Sequence, residues 1–486
     1  MVNAEANRRW AAVIVATILM MLVSAIAAPA QAFKTVLSFE LLTDGAAPKG
    51  ILLQGTDGNL YGTTAGSDVD EGAYRFGTVF KVTSSGHLTT LYAFCSQAFC
   101  ADGADPLAGV VQAADGNFYG TANGGGTTDD GIIFKMTPSG TLTTLHSLSQ
   151  QVGHTSYGTL VQASNGSFYG TTYYGGPNDT GTVFSISPSG DFKTLYGFGT
   201  QSRDGGYPEA GLVRGSDGGF YGSTTAYLGP GTIFKITPSG AFTTVHHFCS
   251  EPGCADGAFP TQLIVASDGN IYGTTGEGGV NNWGTVFKMT PAGTLTTLYN
   301  FCSQPGCTDG NTPFQGLIQA SDGNFYGTTD RGGVSDNGTV FQITPAGKLK
   351  TLHSFCLQNG CTDGSFPFGL VQATNGNFYG TTEYGGLDDS CSLGLGCGTI
   401  FSLSLGLSPF VETGPTFGKV GAVVKILGND LTGATSVTFN GTAASFTVQS
   451  ATFIKTTVPA GATTGPVQVV TPSGTLTSNA NFQVLR

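Results

Sequence analysis

An all-β protein is what the sequence predicts, and three observations carry that prediction. Only 10% of the 486 residues are charged while 76 are glycine, a profile of turns and strands and not of charged amphipathic helices. A Tyr-Gly core recurs seven times, at Tyr61, Tyr119, Tyr169, Tyr221, Tyr272, Tyr326 and Tyr379. Each copy breaks into four short β-like runs punctuated by turn residues.

The N-terminus sets the compartment. Arg8 and Arg9 precede an apolar stretch from Ala11 to Ala28, and Ala30-Gln31-Ala32 follows with the small-x-small pattern of a signal-peptide cleavage site. Residues 1–32 are therefore expected to be a secretory signal peptide. A retained membrane anchor is the alternative, since the run is long enough to span a bilayer. Without this segment the chain carries 17 basic and 30 acidic residues, a net charge of −13. Such acidity disfavours nucleic acid and anionic lipid as partners.

The ten cysteines fall into five close couples: Cys95 with Cys100, Cys249 with Cys254, Cys302 with Cys307, Cys356 with Cys361, and Cys391 with Cys397. In an oxidising compartment these read as local disulfides that pin loops. Zinc is the competing reading, but no couple has a second pair or a nearby histidine to complete four ligands.

The repeat is clearest in the sixth copy, Gly316 to Phe355, with runs GLIQA (a), NFYGTT (b), GTVFQIT (c) and KLKTLHSF (d). Asp-Gly or Asn-Gly joins a to b, supplying the positive φ values of a two-residue hairpin. TPSG or TPAG joins c to d, with Pro opening the turn and Gly closing it. Run c is apolar on both faces, as in Val79-Phe80-Lys81-Val82, so each sheet must be covered on both sides. Four-stranded sheets repeated seven times, each buried against its neighbours, predict a seven-bladed β-propeller over residues 33–407. An open solenoid is the runner-up and would leave a terminal sheet face bare. The seventh copy stops at run c (Gly398 to Leu407), and its missing run d is found at the other end of the chain. FKTVLSF (Phe33 to Phe39) matches LTTLYAF (Leu88 to Phe94), so an N-terminal strand can close the ring and hide both edges.

These repeats, with ASDGNFYGTT, GG and GTVFKMTPSGTLTTLY in each copy, resemble the GloVer tandem-repeat family of secreted bacterial proteins, a resemblance that implies no known reaction. The blade pattern is also similar to that of the seven-bladed streptogramin lyases, without a matching catalytic His/Glu set. Residues 408–486 resemble an IPT/TIG domain, through Val424 to Gly428, Asn429-Asp430-Leu431, Val437 to Gly441, Val458 to Val470 and the final NFQV. That resemblance implies an immunoglobulin-like β-sandwich, and alternating strands with turns every eight to twelve residues support one independently.

Because the a–b and c–d turns are tight, variety is confined to the b–c and d–a loops, which emerge on one face. The b–c loops supply Asp68, Asp70, Glu71, Tyr173, Tyr174, Tyr227, Glu277, Trp283, Asp330, Arg331, Glu383 and Tyr384 as ligand-binding candidates. Aromatic rings and carboxylates together suit sugars. His154 is the one histidine expected on this face; His146, His246 and His353 take run-d positions where other copies have Tyr and read as packing. The d–a loops carry Asp-Gly at Asp44, Asp102, Asp204, Asp256, Asp309 and Asp363, expected near the mouth of the central channel. Such a ring could attract calcium, although Asp-Gly is also a plain turn pair. Asp68 to Gly72 begins like a calcium loop and lacks its later ligands. No other cofactor is expected.

The function expected is a monomeric, secreted, periplasmic or surface-exposed binding scaffold, non-catalytic, for an extracellular glycan or protein. A carbohydrate-active hydrolase or lyase using rim carboxylates is the alternative, and a purely structural wall component the third. No nucleophile elbow, phosphate loop or metalloprotease motif occurs.

Overall fold

The computed structural model describes residues 31–41, 43–66, 76–225, 229–391 and 394–485. The signal-peptide segment, up to residue 30, and the candidates Asp68, Asp70, Glu71 and Tyr227 lie outside these residues. Among the described residues no helix is long and apolar enough to cross a membrane.

Seven antiparallel sheets are each ordered a-b-c-d, with a short extra strand, Ala258–Pro260, in the fifth. The first is typical: Leu53–Gln54, Leu60–Thr64, Thr78–Val82 and Leu88–Ala93. Strands b and c are almost wholly buried, as expected for c; strand d, whose Leu88, Leu91 and Tyr92 also predict cover on both faces, stays only partly buried at the outer edge of the sheet. The Tyr-Gly tyrosine does two jobs at once. Tyr61 donates its hydroxyl hydrogen to Asp57 of the a–b turn at 2.8 Å, and its ring packs on Phe118 of the next sheet, centroids 4.4 Å apart. One residue thereby fixes a hairpin and an inter-sheet contact.

The N-terminal strand Ala32–Ser38 is the outer strand of the seventh sheet, antiparallel to Thr399–Ser404 with Phe33 opposite Leu403. It carries a register break between Thr35 and Leu37. The same break separates Val79 from Phe80 in the first sheet, so the distant strand reproduces the local geometry of an ordinary strand d. The seventh sheet meets the first: Thr374 donates its backbone N–H to Gln54 Oε1 at 2.8 Å, and Phe39 packs on Phe80. The result is a closed, propeller-like ring.

All five cysteine couples are disulfides, and the zinc alternative falls away. Cys95 is bonded to Cys100, Cys249 to Cys254, Cys302 to Cys307, Cys356 to Cys361 and Cys391 to Cys397. The first four pin d–a loops, and in three of these a short 3₁₀ turn ends on the second cysteine: Ala98–Cys100, Pro252–Cys254 and Pro305–Cys307. The fifth staples the long b–c loop of the seventh sheet, where Cys391 and Cys397 are both buried.

After the ring, two four-stranded sheets face one another across a single core that includes Val424, Ile426, Val437, Phe439, Ile454, Val467 and Phe482. This module sits against the tight-turn end of the ring. Asn429 donates to Thr374 Oγ1 at 2.9 Å, Thr452 to the Thr56 carbonyl at 2.9 Å, and Lys425 to the Ala113 carbonyl at 2.5 Å. The Arg214 guanidinium lies 3.6 Å from the centre of the Phe417 ring.

Candidate functional site

The recurring Asp-Gly carboxylates do not ring the channel mouth as expected; they turn back into their own loops. Asp102 is fully buried and accepts from the Tyr92 hydroxyl at 2.7 Å, the Ser96 hydroxyl at 2.7 Å, and the backbone N–H groups of Ser96 and Gln97. Burial pushes its pKa up, but these hydrogen bonds outweigh it and hold the carboxyl below its ordinary value. Asp204 and Asp309 take the same bond from Tyr196 and Tyr299 at 2.6 and 2.7 Å. Asp256 and Asp363 pair with His246 and His353 at 3.3 and 3.0 Å. Asp44, whose strand has Leu37 in place of the ring donor, accepts only from its own loop, with the Glu40 N–H at 3.3 Å. Five of the six carboxylates are thus turned onto a tyrosine or histidine of their own sheet, away from a shared ring, and no group of three metal-ligating side chains occurs among the described residues.

What lies at the channel mouth is set by another position of the repeat. In six d–a loops a proline stands four residues after the aspartate, and it seats on the preceding sheet. Gly338, at φ +94°, shows why that seat must be glycine: a Cβ there would fall 2.4 Å from the Thr329 carbonyl oxygen and 2.5 Å from Pro367 Cδ. The loop into the third sheet lacks the proline, and Asn123 Oδ1 holds the Ser156 N–H at 3.0 Å instead. The residue that follows is thereby aimed at the axis. In chain order these residues are Lys49, Leu107, Tyr157, Glu209, Thr261, Phe314 and Phe368, and all seven line one cavity of about 400 Å³. Phe259, Thr225 and Asp330 are also part of its wall.

Of the b–c candidates, the structure brings Asp330 into this cavity and Glu383 beside it. Glu383 pairs with Lys49, Oε1 to Nζ 2.8 Å. Asp330 has no hydrogen-bond partner for its carboxyl among the described residues. Burial, with the neighbouring negative charges of Glu383 and Glu209 adding and Arg331 opposing, pushes its pKa up to about 7. Glu209 is exposed to the channel, and the protein packed around its carboxyl raises its pKa too. Tyr157 is raised by burial first and by Glu209 second. Behind Tyr157 stands a tyrosine cluster: Tyr173 lies 5.4 Å from it, edge-on, and 4.7 Å from Tyr174, with Tyr207 packed on both. His154 stacks on Tyr174 at 5.6 Å and bonds Gln150 at 3.0 Å, so it buttresses this cluster from outside the cavity.

Three other candidates stay apart from the mouth. Glu277 is at the exposed end of its strand, Trp283 is 46% exposed, and neither lines the cavity. Tyr384 packs edge-on to Phe366, over which Arg331 also lies at 5.2 Å. The residues that sequence reasoning missed, Lys49, Tyr157, Glu209, Phe314 and Phe368, carry a signal: they occupy the position after the proline, or after Ser156 in its place, where the copies show Lys, Leu, Tyr, Glu, Thr, Phe and Phe. A repeat that keeps its turns and varies one position in charge, size and aromaticity is marking a convergent site.

The architecture has counterparts among solved structures. A virginiamycin B lyase from Staphylococcus aureus is similar in fold, at 13% identity and TM-score 0.51, with 77% of this chain and 99% of that chain covered. So is the extracellular domain of the BT4673 one-component system from B. thetaiotaomicron, at 11% identity and TM-score 0.50, covering 94% of this chain and 58% of that one. No curated protein matches the chain in sequence. The model of the Gloeobacter/Verrucomicrobia repeat matches residues 22–230 and 226–454, and the chain belongs to that repeat family.

Proposed function

We propose that the chain is an exported seven-bladed β-propeller, residues 33–407, made with a signal peptide over residues 1–32 and followed by an immunoglobulin-like IPT/TIG module over residues 408–486. Five disulfides support an oxidising, extracellular location. Its role is to bind an extracellular glycan or protein at the channel mouth. The observation that carries this reading is the single cavity of about 400 Å³ to which each of the seven sheets contributes the most variable residue of its repeat. Glycan and peptide arrays probed with the mature chain test it. Binding should be lost on Tyr157→Ala or Phe314→Ala and kept on Trp283→Ala; the opposite pattern would move the site out to the rim.

A second reading, a hydrolase or lyase, is favoured by one specific feature. A carboxyl held near pH 7, Asp330, beside the ion-paired Glu383 is the arrangement that general acid catalysis uses. Polysaccharide turnover that is abolished by Asp330→Asn, with binding retained, would replace the scaffold reading by this one.

A further inference from the structure

We propose that the channel mouth recognises the ammonium group of an amino sugar, held between Glu209 and Asp330 while the sugar ring lies against the aromatic wall. The proposal rests on the binding role assigned above and narrows its ligand.

The charges of the mouth point this way once its own pairs are set aside. Lys49 is neutralised by Glu383 at 2.8 Å, and the Arg331 guanidinium lies over the Phe366 ring. Glu209 and Asp330 remain, with no ion pair and no hydrogen bond to either carboxyl among the described residues. Asp330 is half-buried in the cavity wall. A buried carboxyl without a partner is costly, and the groups that relieve it are donors or cations. An ammonium has three donors and no acceptor, matching two acceptor-only groups when both are ionised. An acidic ligand would meet the negative charge of Glu209 and, where it is ionised, of Asp330, with Arg331 alone opposing them. A neutral sugar would offer these carboxyls hydroxyl donors but no counter-charge.

The rest of the wall favours a sugar as the carrier of that cation. Tyr157, Phe259, Phe314 and Phe368 bring four aromatic rings to the cavity, and ring faces attract both ammonium groups and the apolar faces of sugars. Thr159, Thr261, Gln262 and Gln315 line it as well. Their hydroxyl and amide groups can answer sugar hydroxyls, which the bare alkyl chain of a lysine does not carry.

The Asp330 carboxyl, half-protonated at pH 7, also supplies a readout. Arrival of an ammonium favours its ionised form, so binding near pH 7 releases from Asp330 the fraction of a proton it still holds, with Glu383, Glu209, Lys49, Arg331 and Tyr157 as the other groups facing it. Isothermal titration of the mature chain would use a glucosamine tetramer against its N-acetylated counterpart, with a lysine-containing peptide as a third ligand. The free amino sugar should bind tenfold or more tightly than either of the others. Its binding heat should depend on the ionisation enthalpy of the buffer. Glu209→Gln should weaken binding about tenfold, Asp330→Asn should abolish the proton release, and Glu277→Gln, away from the mouth, should change neither. Melting curves of the variants exclude misfolding as the cause. Equal affinity for the acetylated and free tetramers, no amine binding, or preference for the lysine peptide overturns the proposal. Tyr157-dependent binding of a neutral glycan alone would leave the binding role standing and the ammonium assignment rejected.

Discussion

At its tight-turn end the channel meets nearly the same surface from every sheet: a short hairpin, a tyrosine tied to that hairpin, and an aliphatic residue opposite the tyrosine, as in Leu53, Val111, Val161, Val213, Ile264, Ile318 and Val371. At the long-loop end the residue after the proline changes chemistry from copy to copy. The first end is occupied by the C-terminal module, whose Glu412, Thr413, Pro415 and Phe417 face five of these aliphatic residues, Leu53, Val111, Val161, Val213 and Ile264, across a chamber of about 530 Å³. The second end is open. Uniformity at one end and diversity at the other teach that the repeat separates the task of holding the ring from that of choosing a ligand.

The largest blow to both ends together should come from removing residues 32–38. The seventh sheet would lose its outer strand and Phe33 its stack on His353. We expect a loss of more than about 4 kcal/mol in denaturant unfolding, because a whole strand and its core contacts go; an unchanged midpoint would mean the ring closes without it. Next in size, Asp309→Ala should cost about 1–3 kcal/mol by removing the buried carboxylate to which half-buried Tyr299 and the exposed Ser303 and Gln304 donate. The same variant should leave ligand binding at the mouth untouched, and weaker binding would return this carboxylate to the functional list.

The lower end alone is broken by Arg214→Ala with Phe417→Ala. Loss of the stack and of the Arg214 bond to Gln483 at 3.3 Å should cost about 1–3 kcal/mol and speed proteolysis between the ring and the module. The upper end has a pH signature. Asp330 binds its proton more tightly folded than unfolded, so between pH 3.8 and about 7 the native state carries more protons and stability falls as pH rises. Asp330→Asn should remove that slope, worth about 1–3 kcal/mol, in melts compared at pH 4 and pH 8. The smallest effect is expected at Glu412, which burial pushes up to about 7. Glu412→Gln should raise stability at pH 8 by about 1 kcal/mol, since it removes a charge that the chamber does not compensate. A destabilised variant would reveal a partner for that carboxylate.

The sheets, their hairpins and the returning strand are legible in the sequence because they rest on local chemistry: Asp-Gly turns, apolar pairs and a match between Phe33 to Phe39 and Leu88 to Phe94. The disulfides are legible for the same reason, since each closes within a few residues, from Cys95–Cys100 to Cys391–Cys397. The role of Asp102 and its equivalents is not. Their place in a loop follows from the repeat, but the direction of the carboxyl depends on a tyrosine or histidine ten residues earlier, across a strand end. Glu209 and Tyr157 escape a linear reading because convergence is a property of the closed ring: residues about fifty positions apart become neighbours only once seven sheets are set around one axis. Asp330 and Glu383 stand out in sequence only as loop residues, and it is burial, unreadable from one sequence, that distinguishes them from Glu277.

One departure from regularity gives the ring an orientation. Gln54, Gln112, Gln162, Gln319 and Gln372 share one register position in strand a; the fifth sheet has Val265 there, and the fourth places the charged Arg214, under Phe417. Seven near-equivalent sheets offer a docking module seven near-equivalent settings. For one setting to hold about 99 of every 100 molecules against six rivals, it must be better by about 4 kcal/mol. The tether after the seventh sheet forbids some settings, and the single arginine works on the rest as a keyway. A symmetric rotor thereby acquires an index mark, and the unlike residues of the open mouth gain a fixed bearing relative to whatever the C-terminal module holds.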